Sequence, residues 1–116
     1  MREDPELTNY LTEQIRRTRM TWARLREHGV NEGQELRLDF FYAAPTNRRA
    51  SELKLYLDEA TDYETRVTAD NDQWILRGRT HPAGLSLTIV EQWVEWMVAA
   101  GLPFECVFDG WGVEIS

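Results

Sequence analysis

Cysteine, lysine and long apolar runs are all scarce in this chain. One cysteine in 116 residues, Cys106, excludes an internal disulfide and any multi-cysteine metal site, which fits a reducing compartment. No apolar run approaches the roughly 20 residues that cross a bilayer, and the opening Met1-Arg2-Glu3-Asp4-Pro5-Glu6 has no signal-peptide core. A cytoplasmic protein without membrane contact is expected. Phosphate-binding glycine loops are missing too: Asp109-Gly110-Trp111-Gly112 has neither the spacing nor a following helix to hold a pyrophosphate, and no P-loop occurs.

What is present is enough to fold. Hydrophobic residues make up 42% and aromatics 11%, too much apolar matter for a disordered acidic tail, and 116 residues suit one domain spanning 1–116. Net charge is −7, which opposes generic nucleic-acid binding. That charge is uneven, however. Residues 1–28 carry Arg2, Arg16, Arg17, Arg19, Arg24 and Arg26 against five acids, while the remainder is strongly acidic.

Periodicity predicts an N-terminal helix within 1–28 and a body over 34–116. Leu7, Leu11, Ile15, Thr18, Trp22 and Leu25 recur at spacings of three and four, with Pro5 after Asp4 as a helix start and His28-Gly29 as a stop. Leu36, Leu38, Phe40 and Tyr42 then alternate with Arg37, Asp39 and Phe41 as a strand does. Thr46 and Asn47 offer a cap to a helix with Ala50, Leu53, Leu57 and Ala60 on one side. Two strands near 63–69 and 73–80 join through Asp70-Asn71-Asp72 as a hairpin. Thr88 with Glu91 resembles a capping box for a helix carrying Ile89, Trp93, Trp96, Met97 and Ala100, closed by Gly101 and Pro103. A last strand is expected from Phe104, with Phe104, Cys106 and Phe108 facing one way. The order is a helix followed by βαββαβ, an α+β ferredoxin-like sandwich with an additional N-terminal helix.

Catalytic constellations are hard to find. His28 and His81 lie far apart and outside metal-ligand motifs, and Cys106, in phase with Phe104 and Phe108, reads as packed and inert. Glu91 and Glu95 share a helical face at a spacing an acid/base pair would use, yet no histidine joins them and a solvated face explains them. No serine sits in a nucleophile motif. Neither an enzyme nor a cofactor or metal is expected.

Two features suit binding. Arg16 and Arg17, with Arg19, Arg24 and Arg26, flank the apolar stripe of the first helix and could meet phosphates or an acidic partner, though a solvated face is the simpler account. In Asp109-Gly110-Trp111-Gly112, Asp-Gly favours a turn or bulge, and Trp111 could equally fill the core or anchor a partner.

The run from Ile89-Val90-Glu91 to Phe104-Glu105, followed by Phe108-Asp109-Gly110-Trp111-Gly112-Val113-Glu114, resembles the end of RraB-family proteins. Across residues 5–116 the order of elements is similar to that family as well. The resemblance implies a ferredoxin-like α+β fold and a non-catalytic role, in which members bind ribonuclease E and restrain its cleavage of RNA. Better-known members continue into a strongly acidic tail, which this sequence, stopping at Ile115-Ser116, does not show. Such a tail would meet a basic segment of the nuclease.

The leading expectation is therefore an RraB-like regulator whose partner-binding residues are Asp109, Gly110, Trp111, Gly112, Arg16 and Arg17. A toxin-neutralising immunity-type protein is the alternative, since a small acidic α+β domain suits that role. Direct RNA binding on the open sheet face, where Phe41 points outward, is disfavoured by the acidic body. The N-terminal helix is expected either to cover that face or to pair with a second copy in a homodimer.

Overall fold

A computed structural model describes residues 5–113. The Asp4 end of the expected helix start, Arg2, and the Glu114-Ile115-Ser116 end of the motif lie outside the described residues. The architecture is α+β. Helix α1 (Pro5–Glu27) leads into β1 (Glu35–Leu36), β2 (Asp39–Ala44), α2 (Asn47–Ala60), β3 (Glu64–Asp70), β4 (Gln73–Arg79), β5 (Ala83–Gly84), α3 (Leu87–Gly101), a 3-10 turn (Leu102–Phe104) and β6 (Val107–Gly112).

Four strands form an antiparallel sheet in the order β3-β4-β2-β6. The strands flanking α2 are thus separated in the sheet by β4, a split crossover. The alternation read at 38–42 is real: Leu38, Phe40, Tyr42 and Ala44 are buried, and α2 and α3 pack on that side. The expected single strand is nevertheless two, because Leu36 leaves the main sheet and pairs with Ala83 in a short β1–β5 ladder.

Phe40 lies beneath a glycine. A Cβ on Gly78, its cross-strand neighbour, would fall 2.1 Å from the Phe40 ring, so the missing side chain makes room for the ring. Around it the rings of Tyr42, Tyr63 and Trp93 meet Phe40 edge-on or tilted at 5.6–6.2 Å. Tyr42 is fully buried, and its hydroxyl donates to the Met97 carbonyl at 2.6 Å.

Local signals set the helix ends. Thr46 accepts a bond from Arg49 N at 3.1 Å, as expected for the cap of α2, a contact worth about 1 kcal/mol. For α3 the cap is Ser86, which accepts from Ile89 N at 3.3 Å, in place of the expected Thr88–Glu91 box; Thr88 is already inside the helix. The buried stripe of α3 also differs from the one expected. Val90, Val94, Met97 and Val98 face the core, while Ile89 and Trp96 are exposed. Apolar residues on nearly every side of α3 make its periodicity ambiguous, and the fit against the sheet decides. Ala60 likewise ends up outside.

Two further expectations are corrected, one about the last strand and one about the first helix. Pro103 sits in a 3-10 turn, so the strand starts at Val107 and not at Phe104, although Cys106 and Phe108 are buried as their spacing requires. Helix α1 does not cover the open sheet face. It lies beside α3 on the helical side, with Trp22 and Leu25 joining the common core. Phe41 and Arg77 remain on the other face, in a shallow cleft of about 500 Å³.

Candidate functional site

The two sequence features singled out for binding meet in space. Opposite Phe41 and Tyr42 of β2 the register of β6 shifts, pairing Phe41 with Gly110 and Tyr42 with Phe108. Asp109 is the extra residue of a β-bulge, and Gly110 takes φ 150°, a conformation that favours glycine. The bulge sets Trp111 opposite Phe40, on the side of the sheet where α1 runs.

Trp111 is half-buried, and its indole Nε1 donates to Thr18 Oγ1 at 3.0 Å. Thr18 is 1% exposed, on the buried side of α1. Two turns earlier on α1, Tyr10 donates from its hydroxyl to the Phe108 carbonyl at 2.6 Å. Burial, with Asp109 close by, pushes the Tyr10 phenol up to about 12. Both contacts tie β6 to α1, and Trp111 is thus a strut between them as well as part of a surface.

That surface is a cleft of about 370 Å³ between α1 and the bulge. Arg16, Arg17, Thr21 and Arg24 line one wall, Asp109 and Gly110 the other, with Trp111 and Thr18 between. Glu13 sits among the arginines, 2.6 Å from Arg16 Nη2 and 3.6 Å from Arg17 Nε, and its bond from Arg16 holds its carboxyl below the usual range. Three guanidinium groups thus face two carboxylates, Glu13 and Asp109, so the cleft is a locally cationic place on an acidic protein. Arg16 turns its Nε and Nη2 to Glu13 at 3.0 and 2.6 Å, so Arg17 and Arg24 are the planar N–H groups beside the indole that favour a carboxylate carried next to apolar groups.

The arginines do not act as one patch. Arg19 points elsewhere and donates to Glu91 of α3 at 2.9 Å, clamping the two helices, and Arg26 approaches Glu32 at 3.7 Å. Gly112, the last of the expected binding residues, pairs with Asp39 beyond the cleft lining. Sequence reasoning missed Tyr10 and Gln14, which with Thr18 form a row four residues apart along the flank of the apolar stripe. That spacing was their signal.

The residues weighed for catalysis lie elsewhere in the fold. Glu91 is held by Arg19, while Glu95 is exposed. His81 Nδ1 lies 2.6 Å from Asp62 Oδ1 in an exposed loop. Cys106 is buried, with its thiol 3.5 Å from the Phe104 carbonyl, and burial pushes that thiol up to about 11. Among the described residues no three His, Cys, Asp or Glu side chains converge on a metal position, and no helix is long and apolar enough to cross a membrane.

Against known proteins, the sequence matches no family model and no curated protein.

Proposed function

We propose that the protein is a non-catalytic regulator of the RraB type, which docks an acidic segment of ribonuclease E in the cleft between α1 and the Asp109 bulge and so slows RNA decay. One observation carries this reading: Arg16 and Arg17, more than 90 residues before Asp109-Gly110-Trp111, line the same cleft with them. The D-G-W-G run is also where the sequence most resembles that family. The cleft's chemistry is that of recognition. Guanidinium forks supply orientation, and the indole edge supplies apolar contact near the centre.

Adding the purified chain in excess to the ribonuclease E of its host, with a fluorogenic single-stranded RNA as substrate, tests the role. Slower cleavage that saturates with the added protein is the expected result. An unchanged cleavage rate at saturating protein removes the ribonuclease assignment.

A further inference from the structure

A second surface owes nothing to the cleft beside Trp111. Between α2 and α3, the rings of Tyr56 and Trp96 lie with centroids 6.4 Å apart and planes inclined by only 21°, and Phe104 tilts against Tyr56 at 6.0 Å. With Ala99, Ala100 and Pro103 they line a pocket of about 260 Å³. Tyr56, Trp96 and neighbouring Leu102 are 41%, 40% and 45% exposed, although Leu53, Leu57 and Met97 fill the core from the same helices. Large apolar side chains gathered in one concavity mark a contact surface more often than scattered ones do.

Charge identifies the occupant. Glu52 and Glu59 lie one turn to either side of Tyr56 on α2, Glu95 adjoins Trp96, and Glu105 adjoins Phe104. Arg49 reaches Glu52 at 3.5 Å and Glu105 at 3.6 Å, and Arg48 approaches Glu52 at 3.8 Å. Four carboxylates thus stand within a turn of the aromatic lining along the chain, against two guanidinium groups, and among the described residues no ion pair joins Glu59 or Glu95. Two such surfaces brought together across a two-fold axis would set acid against acid, which disfavours a second copy face to face.

We propose that this pocket receives an arginine side chain from an extended basic segment of a partner protein. A guanidinium plane matches the near-parallel rings of Tyr56 and Trp96, whose faces carry negative potential, while its methylenes pack on Ala99 and Pro103 and its N–H groups reach the carboxylate rim. A lysine ammonium, compact and strongly hydrated, loses more water for less contact.

The test is an NMR titration of the full ¹⁵N-labelled chain with a blocked Gly-Arg-Pro-Arg-Gly peptide and with its citrulline counterpart, which keeps the shape and loses the charge. The Trp96 indole N–H, assigned by its loss in Trp96→Phe, should shift saturably with the arginine peptide with a Kd of about 1 mM, and about ten-fold more weakly with citrulline. Trp96→Ala, at an exposed position, should abolish the response, and Trp111→Phe should leave it intact. Equal responses to the two peptides, no shift with either, or indole shifts that follow protein concentration alone, as self-association gives, would each overturn the proposal.

Discussion

Trp111 Nε1 and Thr18 Oγ1 meet at 3.0 Å, so the last strand is fastened to the middle of the first helix by residues 93 apart in sequence. Trp111→Phe keeps an aromatic ring but removes the indole donor, leaving a buried hydroxyl without its partner. The expected loss is about 1 kcal/mol in urea unfolding. Trp111→Ala should cost about 2 to 3 kcal/mol, below the figure for a fully buried tryptophan because this one is only partly buried. An unchanged unfolding midpoint in both variants would mean that the indole is not a strut.

Gly78 should tolerate almost nothing else. Its Cβ position lies 2.1 Å from Phe40 Cζ, and Phe40 is fully buried among three other rings. Gly78→Ala is expected to cost about 2 to 3 kcal/mol by overpacking. Adding Phe40→Leu should recover part of that loss, a non-additivity that a double-mutant cycle measures directly.

Cys106 should resist alkylation. Burial keeps the thiol protonated up to about pH 11, against an ordinary value of 9.0, so its thiolate fraction at pH 8 is about a hundred-fold lower than that of a free cysteine. A disulfide reagent should react at least that much more slowly with the native protein than with the urea-unfolded chain. The sign for stability follows from the raised value. The folded state holds the proton more tightly, so this contribution is intact below about pH 9 and is lost as pH rises toward about 11.

Tyr10→Phe removes the hydroxyl that donates to the Phe108 carbonyl. A loss of about 1 kcal/mol is expected, with exchange of the β6 amides speeding up more than that of β3, since β6 is the strand that α1 fastens. Equal acceleration in both strands would indicate a global effect.

Much of this fold is legible in the residues themselves. The Asn71-Asp72 turn places the hairpin to within a residue, and the alternation through Leu36, Leu38, Phe40 and Tyr42 finds the buried side of β2 while starting it three residues early, because one buried face and one turn chemistry act on each locally. The β1–β5 ladder is not legible, since two residues per strand carry no period. In α3, Val90 and Val94 displace Ile89 and Trp96 from the core because the apolar residues of this helix spread well beyond one stripe, and its neighbours decide which of them face inward. The cleft was legible in its parts. Asp109-Gly110 reads as a bulge and Arg16-Arg17 as a cationic helix face, but only the packing of α1 on the helical side, through Thr18 and Trp111, sets them opposite each other.

Docking of ribonuclease E in the cleft, as proposed, requires Arg16 and Arg17. The affinity of immobilised ribonuclease E for the native chain and for the Arg16→Glu, Arg17→Glu double variant, taken alongside thermal unfolding of both, tests this docking. A saturable complex with the native chain, binding weakened at least about a hundred-fold in the variant, and melting points within about 3 °C are expected, because both side chains are exposed. Equal affinity of the two proteins, or no complex with the native chain at micromolar concentration, would contradict it.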